Sequence, residues 1–158
     1  MHPNATLIER FYRAFRARDA ATMGACYHPE IAFSDPAFPA LHGREAAAMW
    51  AMLCERAQDL EIEFGAVHAD DARGGAHWEA RYTFSPTGRR VHNLIDADFE
   101  FRGGLIARHV DRFGFWRWAR QALGPAGWLL GWTPLVRNRV RSEARRGLEA
   151  HLRRRSAA

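Results

Sequence analysis

His109 and Asp111 have the residue types and the spacing that acid–base chemistry needs. They lie two residues apart in LIARHVDRF, a run with a period of two, so they share one face of a predicted strand. On an interior face, such a pair would have perturbed proton affinities. Asp111 would then act as a general base, and His109 would orient it or relay a proton. The alternative is a buried hydrogen-bonded pair that only braces the sheet.

The stretch FSDPAF, residues 33–38, holds a second candidate acid, Asp35. Its Ser-Asp-Pro centre is typical of a turn, because a short polar side chain bonds nearby backbone and proline presets its own φ. The two phenylalanines that flank the turn would place the carboxylate against an apolar wall. We therefore expect Asp35 to be either a turn former or the second acid/base, across a cavity from Asp111.

The rest of the chain must supply the elements that position these side chains. Residues 5–18 and 19–26 have the apolar spacing of helices, residues 30–34 are short and strand-like, and Gly43 begins a third helix. Four later runs with a period of two predict strands over residues 60–69, 77–84, 91–101 and 105–115. Hairpin turns separate the last three of them. The sequence therefore predicts an α+β fold in which helices precede an antiparallel sheet.

The alternation also predicts which side chains face inward. On the strand over residues 91–101, one face is apolar and the other is acidic. Arg81, Arg108 and Arg112 of neighbouring strands lie on that outer side, where they can pair with the acids. Aromatic side chains at inner positions either line a cavity or form plain core. The predicted substrate-binding residues are Tyr12, Phe15, Phe33, Trp50, Trp78, Tyr82, Phe99 and Phe113.

The order of these elements resembles the cone-shaped α+β fold of the nuclear transport factor two-like superfamily, which includes ketosteroid isomerase, limonene epoxide hydrolase and the SnoaL-like polyketide cyclases. The segments that carry the resemblance are LIERFYRAFRARD, YHPEIAFSDPAF, HGREA and DADFEFRGGLIARHVDRF. They span nearly all of residues 5–114. The resemblance implies a strongly curved antiparallel sheet wrapped by N-terminal helices. This fold hosts enzymes and pure binding modules alike.

Among these families, the SnoaL-like cyclases are the most similar in their site residues. They use an inward Asp near a His on the last strand, a pattern that His109 and Asp111 match. Ketosteroid isomerase is matched at its Asp base by Asp35. Its two oxyanion donors correspond to Phe11 and Ala97, which cannot donate a hydrogen bond from their side chains. The resemblance therefore argues against steroid isomerisation.

Limonene epoxide hydrolase is matched at one of its catalytic acids, again by Asp111. It also needs an Arg and an Asp two residues apart on a neighbouring strand, and those positions hold Ala80 and Tyr82 here. The hydrolase triad is therefore incomplete. If the protein is an enzyme, the missing oxyanion donors favour a substrate whose carbon acid is more acidic than that of a steroid.

Basic residues are concentrated at the end of the chain, and all 23 of them are arginine. Residues 1–114 carry 13 arginines and 16 acidic residues, whereas residues 115–158 carry ten arginines and two glutamates. We predict that residues 1–114 form the cone domain. Residues 115–158 would form a basic helical extension, packed on the same domain or on a dimer partner. Its last helix has an apolar stripe made of Val136, Val140, Ala144, Leu148 and Leu152.

The predicted partners are a small apolar molecule and a second copy of the chain, paired through the outer face of the sheet. No aromatic residues interleave the arginines of the last helix, so no specific nucleic-acid partner is predicted. An apolar segment, Trp128 to Trp132, precedes that helix and suits a membrane surface, the cone mouth or a partner subunit. For these C-terminal helices, we favour the solvated basic face of a docked helix over contact with a membrane surface.

No cofactor is predicted, because the histidines form no metal-binding pattern and proton transfer at an activated carbon needs only side chains. Cys26 and Cys54 are expected to be buried free thiols. Without a secretory signal or a membrane-length apolar run, we expect a cytoplasmic protein. Two functions stay open. One is a cofactor-independent cyclase, isomerase or lyase, and the other is a non-catalytic ligand-binding or assembly module.

Overall fold

A computed structural model describes residues 1–158 and contains six helices and six strands. The helices are α1 (Pro3–Arg16), α2 (Ala20–Ala25), α3 (Arg44–Arg56), α4 (Phe115–Leu123), α5 (Pro125–Leu130) and α6 (Pro134–Ala157). The strands are β1 (Tyr27–Ser34), β2 (Leu41–His42), β3 (Glu61–Ala69), β4 (Arg73–Phe84), β5 (Arg89–Arg102) and β6 (Leu105–Arg112). The α+β class and the C-terminal helical extension are as predicted.

All six strands belong to a single sheet with the order β2-β1-β6-β5-β4-β3. Every neighbouring pair is antiparallel except β1 and β6, which run parallel because a long stretch of chain, not a hairpin, joins them. Register shifts interrupt the β1–β6, β3–β4 and β5–β6 pairings, and such bulges bend and twist a sheet. The curved sheet is therefore as predicted, with one parallel pairing that the sequence did not reveal.

The first strand begins earlier than the sequence indicates. Residues 19–26 were expected to be helical, with the strand starting at Glu30, but β1 starts at Tyr27. Tyr27 pairs with Ile106 of β6, and this long-range pairing gives the segment an extended backbone despite Pro29. The short strand β2 was not predicted. It is defined by antiparallel pairing with β1, in which Leu41 lies opposite Phe33.

The inner face of the sheet packs against α1 and α3. On β5 the buried positions alternate as predicted, with Val91, Asn93, Ile95, Ala97 and Phe99 facing inward. The helices contribute apolar side chains spaced three and four residues apart, which puts them on one face of each helix. Those that are almost wholly buried include Ile8, Phe11, Tyr12, Phe15, Met49 and Trp50. The core therefore fills the concave side of the sheet.

The outer face of the sheet carries charge pairs between neighbouring strands, as the alternation predicts. Arg108 of β6 lies 3.0 Å from Glu100 of β5, and Arg112 pairs with Asp98 one step along. His77 lies 2.8 Å from Asp96 in the same way. These partners are exposed, so each pair contributes little to stability.

The final helix packs on the body through the predicted stripe. Val136 and Val140 are partly covered by the cluster around α4. Further along α6, Ala144, Leu148 and Leu152 join the main core beside α3, with Leu148 fully buried. Ion pairs flank this contact, at 2.7 Å between Arg145 and Glu45 and 3.2 Å between Arg155 and Glu55. In addition, Arg141 Nε donates to the carbonyl oxygen of Pro36 at 3.0 Å. The extension thus holds the FSDPAF turn as well as α3. None of the helices has both the length and the apolar content that crossing a bilayer requires.

Candidate functional site

A chain of four hydrogen-bonded side chains runs through the interior of the cone. Trp50 Nε1 donates to the Tyr27 hydroxyl at 2.7 Å, and that hydroxyl lies 2.8 Å from His109 Nδ1. The other ring nitrogen, Nε2, lies 2.9 Å from Asp111 Oδ1. All four residues are at most 6% exposed. The predicted His109–Asp111 pair is therefore one half of a longer network.

The donors and acceptors in this network fix the tautomer of the histidine. An ionised carboxylate only accepts, so His109 Nε2–H donates to Asp111. Nδ1 then accepts from the Tyr27 hydroxyl, whose oxygen accepts from Trp50. A proton on both ring nitrogens would leave the Tyr27 O–H without an acceptor in a buried site, which is costly. The neutral imidazole, protonated at Nε2, is the form that satisfies every group.

Aromatic rings enclose His109 on all sides because three strands and two helices converge there. Phe33 of β1 and Phe99 of β5 are its direct neighbours in the sheet register, with ring centroids 5.1 and 4.4 Å away. Trp50 stacks on the imidazole at 5.9 Å, and Phe11 meets it edge-on at 5.5 Å. The imidazole is therefore fully enclosed, so it contacts Asp111 through its hydrogen bond and is not itself exposed to a ligand.

Asp111 is the last residue of the network, and one of its two carboxylate oxygens has no hydrogen-bond partner there. His109 and Trp78, whose Nε1 lies 3.3 Å away, both bond to Oδ1. Oδ2 has no protein partner. The side chain retains only 3% exposure. A carboxylate with one oxygen anchored and the other unpaired is positioned to accept a proton from a bound molecule.

Asp35 is both a turn former and a perturbed acid. Its Oδ1 accepts from the backbone N–H of Ala37 at 2.7 Å and of Phe38 at 2.6 Å, which closes the FSDPAF turn. Burial raises the pKa of Asp35 to about 7, and the negative charge of Asp111 adds to this, while the backbone hydrogen bonds and Arg141 lower it. The prediction of a turn former is confirmed, and the role of Asp35 as a second acid/base stays a prediction. The dominance of burial over the turn hydrogen bonds makes it a titrating group near neutral pH.

Two tyrosine hydroxyls complete the polar inventory of the cone. The Tyr12 hydroxyl is buried and has no hydrogen-bond partner in the protein. Burial, with the charge of Asp111 as a second cause, raises the pKa of Tyr12 and keeps it a neutral donor. The Tyr82 hydroxyl accepts from Trp118 Nε1 at 2.8 Å, and burial raises its pKa as well, with Asp35 contributing. Each hydroxyl retains a proton that it can donate to a ligand.

The predicted binding residues fall into two groups. Six are almost fully buried and form the aromatic core, namely Tyr12, Phe15, Phe33, Trp50, Trp78 and Phe99. Tyr82 and Phe113 are half-buried, as is Asp35, and these three mark the more open side of the cone. Two surface hollows, of about 580 and 610 Å³, lie elsewhere, and neither is lined by Asp35, His109 or Asp111.

Tyr27 is the site residue that the sequence interpretation missed, since it lies between the helix predicted over residues 19–26 and the strand predicted over residues 30–34. A period-two pattern over Tyr27, Ile31 and Phe33 was present and would have placed it on the inner face. Trp50 and Trp78, which the sequence predicts to contact substrate, also have a polar role that was not predicted, since their indole N–H groups bond to Tyr27 and Asp111. No cluster of three or more His, Cys, Asp or Glu side chains suits a metal ion, and both cysteines are free and buried.

Comparison with known proteins identifies the domain. The family model of the SnoaL-like domain matches residues 8–109, which is well over half of the chain. That match ends just before Asp111 and the C-terminal helices. No curated protein sequence matches the chain.

Solved structures of the same fold are numerous and distant in sequence. An epoxide hydrolase from Mycobacterium tuberculosis that resembles limonene epoxide hydrolase is 20% identical, with a TM-score of 0.63 over 85% of this chain and 95% of that one. A candidate polyketide cyclase from Xanthomonas campestris is 23% identical, with a TM-score of 0.62 over 75% and 96%. A protein of ketosteroid isomerase-like fold from Catenulispora acidiphila, solved with trimethylamine, is 14% identical, with a TM-score of 0.66 over 81% and 97%. These likenesses confirm the predicted cone fold.

Proposed function

The chain belongs to the SnoaL-like domain family, and from that premise we propose that its cone binds a small apolar molecule and transfers protons on it without a cofactor. The reaction class is that of a cyclase, an isomerase or a lyase. The observation that carries the proposal is the pair of carboxyl groups of unlike character. Asp111 is anchored through one oxygen, and Asp35 has its pKa raised to about 7.

Unlike carboxyl groups can divide the work of a base and an acid. Asp111 Oδ2 takes a proton from a carbon next to a carbonyl group, and the electron pair of the C–H bond moves toward the carbonyl oxygen. Asp35 in its protonated form supplies a proton to that oxygen. In an isomerisation, Asp111 then returns its proton to a different carbon, and the enol O–H returns its proton to Asp35 as the carbonyl group re-forms. In a cyclisation, the nucleophilic carbon attacks a second carbonyl group, whose oxygen takes the proton from Asp111 while the enol O–H returns its proton to Asp35. A pKa near the working pH is what each such step requires.

The hydrogen-bond network behind Asp111 supports its role as the base. His109 holds Oδ1 through Nε2–H, Tyr27 holds the imidazole, and Trp50 holds Tyr27. This arrangement keeps Oδ2 pointed along one direction. Because the ring is neutral, it also leaves the negative charge on the carboxylate uncancelled.

The unpaired Tyr12 hydroxyl supports a polar anchor for the ligand. A buried hydroxyl without a partner costs stability, and such groups are uncommon in folded proteins. Trp78 links Tyr12 to Asp111, since the rings of Tyr12 and Trp78 lie 5.8 Å apart and Trp78 Nε1 donates to Asp111 Oδ1 at 3.3 Å. A carbonyl oxygen of the substrate would satisfy it. Tyr12 would thereby replace the donor that ketosteroid isomerase has at the position of Phe11.

A second candidate function rests on how tightly the cone is filled. Trp50 and Trp78 lie 6.2 Å apart, and Phe99 lies 4.4 Å from His109, so the inner half of the cone is aromatic core. A cone filled in this way suits a non-catalytic module that holds an apolar ligand at its rim, or that only assembles with partners. On this alternative, the network of Asp111 braces the sheet.

Solvent-deuterium exchange distinguishes the two functions. Small apolar ketones and diketones that raise the melting temperature of the wild type are incubated with protein in D2O, and exchange next to the carbonyl is followed by NMR. We expect Asp111→Asn to bind the same compounds and to slow exchange by about a hundredfold or more. Asp98→Asn, on the outer face and paired with Arg112, is the matched control. Equal exchange by wild type and Asp111→Asn would leave the binding module as the better description.

A further inference from the structure

An apolar surface patch surrounds the short helix α5. Eight large hydrophobic residues of the chain are exposed, and six of them lie between residues 116 and 135. We call these six the α5 patch, which consists of Trp116, Trp128, Leu129, Leu130, Trp132 and Leu135. Their exposed fractions range from 40% to 74%. Concentrated apolar surface of this kind marks an interaction site.

The α5 patch is held in shape by its own contacts. Trp116 and Trp128 meet edge-on at 5.6 Å, and Trp116 Nε1 donates to the carbonyl oxygen of Trp128. Trp132 Nε1 donates to the carbonyl oxygen of Leu129 at 3.0 Å. On the opposite side of α4, Trp118 and Ala122 are buried with Val91 of the sheet. The patch is thus the outer side of a packed element, and it does not cover the cone.

A hollow lined by arginines adjoins the α5 patch. Its volume is about 580 Å³, no carboxylate lines it, and Trp128 belongs to both the hollow and the patch. The lining residues are Arg89, Arg90, Arg117, Arg120, Gln121 and Trp128. Only Arg90 has a carboxylate partner, Asp59, at 2.6 Å. The hollow therefore carries uncompensated positive charge.

Arg120 connects the charge to the apolar surface directly. Its guanidinium lies over the rings of Trp116 and Trp128, at 4.2 and 4.6 Å from their centroids. Its Nε is buried and has no hydrogen-bond partner in the protein. A guanidinium fixed by two indole rings presents its remaining donors in one geometry, which suits a phosphate group.

The second hollow of the protein is different in character. It has a similar volume, about 610 Å³, and is lined by three arginines, but also by three acidic residues. Two of its arginines, Arg108 and Arg112, pair with acids of the same hollow. The hollow beside α5 therefore lacks the acidic residues that compensate the arginines of the other hollow.

We propose that the α5 patch and the arginine hollow together dock the protein on membranes that contain anionic phospholipids. The tryptophan and leucine side chains enter the boundary between headgroups and acyl chains, as in other interfacial segments. The guanidinium groups of Arg89, Arg117 and Arg120 bind lipid phosphates at the same depth. The proposal is independent of the chemistry in the cone.

Charge complementarity favours this partner over a second copy of the chain. In a two-fold dimer the same patch faces itself, and because neither the patch nor the hollow contains an acidic residue, the unpaired arginines would gain no carboxylate partner there. Nucleic acid would match the arginines, yet phosphate contacts make no use of the exposed leucines. Only an anionic bilayer surface matches both the charge and the apolar side chains.

Vesicle binding tests the proposal. Wild-type protein is mixed with vesicles of phosphatidylcholine alone or with about one third phosphatidylglycerol, and binding is followed by flotation and by tryptophan fluorescence. We expect binding and a blue shift only with the anionic vesicles, weakened by salt. Trp128→Ser with Leu129→Ser, or Arg117→Gln with Arg120→Gln, should each reduce partitioning by about tenfold or more. Quenching of the wild-type tryptophans by brominated lipids checks insertion without any substitution.

Arg153→Gln with Arg154→Gln is the matched control, because it removes the same charge from exposed residues of α6 that form no ion pair. We expect it to change partitioning by less than about threefold. Absence of binding to anionic vesicles overturns the proposal, as does an equal loss in the control pair. A dimer in sedimentation velocity that the Trp128→Ser and Leu129→Ser substitutions convert to monomer would show that the patch is a subunit interface instead.

Discussion

Polar and apolar groups are arranged in opposite ways in the interior of the cone and on the outer side of the C-terminal helices. In the cone, Trp50, Tyr27, His109 and Asp111 satisfy one another, and aromatic rings cover them. Around α5, tryptophans and leucines are open to solvent, and the arginines beside them have few carboxylate partners. Both regions are rich in aromatic residues, so composition alone does not distinguish them.

The difference separates groups that hold the fold from groups that remain available to a partner. A buried polar group must be hydrogen-bonded, and nearly all of those in the cone are. The Tyr12 hydroxyl is an informative exception, because it has no partner and its ring lies 5.8 Å from Trp78, which donates to Asp111. In the extension, the inner side of α6 is packed on the body, although the buried His151 Nε2 has no hydrogen-bond partner, whereas the apolar side chains around α5 stay exposed. The three predictions that follow test this division.

The largest effect should come from the packed side of the extension. Leu148→Ala removes a fully buried side chain between α6 and α3, and we expect it to lower the free energy of unfolding by about 3 kcal/mol. Leu135→Ala, on the open side at 74% exposure, should change it by less than about 0.5 kcal/mol. Urea unfolding followed by circular dichroism measures both. Similar values for the two variants would mean that α6 is not anchored through its stripe.

A smaller effect should separate the two tyrosines of the cone. Tyr27→Phe leaves both Trp50 Nε1 and His109 Nδ1 without a partner, and we expect a loss of about 2 kcal/mol in the free energy of unfolding. Tyr12→Phe removes a hydroxyl that has no partner, so in the absence of ligand it should be neutral or slightly stabilising. Urea unfolding of both variants tests the contrast. A loss in Tyr12→Phe equal to that in Tyr27→Phe would reveal a hydrogen bond at Tyr12 and remove it as a ligand anchor.

The smallest effect is a pH dependence due to Asp35. Because its pKa is about 7 in the folded protein and near 4 when unfolded, the folded state holds the proton more tightly. Stability from this group is therefore present at low pH and is lost as the pH rises from about 4 to 7. The stability of Asp35→Asn relative to wild type should thus increase over that range. We expect a gain of about 1 to 2 kcal/mol, since solvent screens part of the shift at a half-buried group.

Asp59 provides the control of opposite sign. Hydrogen bonds from Thr83, with Arg90 as a lesser cause, hold the pKa of Asp59 below its usual range. Its contribution to stability is present above pH 4 and is lost as the pH falls through the folded-state pKa. The free energy of unfolding of the wild type should therefore exceed that of Asp59→Asn above pH 4, and this difference should shrink in acid. The difference between the wild type and Asp35→Asn should change at higher pH. Urea unfolding from pH 3 to pH 8 measures both differences. If the free energy of unfolding of Asp35→Asn relative to wild type did not change with pH, the raised pKa of Asp35 would be contradicted.

Much of this architecture can be predicted from the sequence because it depends on local periodicity. The period-two runs predicted four of the six strands and the inner positions of His109 and Asp111. The four-residue stripe predicted the buried side of α6, with Leu148 at its centre. Alternation also predicted the pairing of Arg108 and Arg112 with acids on the outer face. In each case the side chain's direction follows from the backbone of its own segment.

What only the tertiary structure decided depends on residues far apart in the chain. Tyr27 joins the network because β1 pairs in parallel with β6, which no local pattern indicates. Asp35 titrates near neutral pH because burial and the charge of Asp111 outweigh the hydrogen bonds of its own turn. The segment around α5 stays exposed because α4 and α6 pack with their other sides on the body. Burial and electrostatic fields are sums over the whole fold, so the sequence named these residues but could not assign their environments.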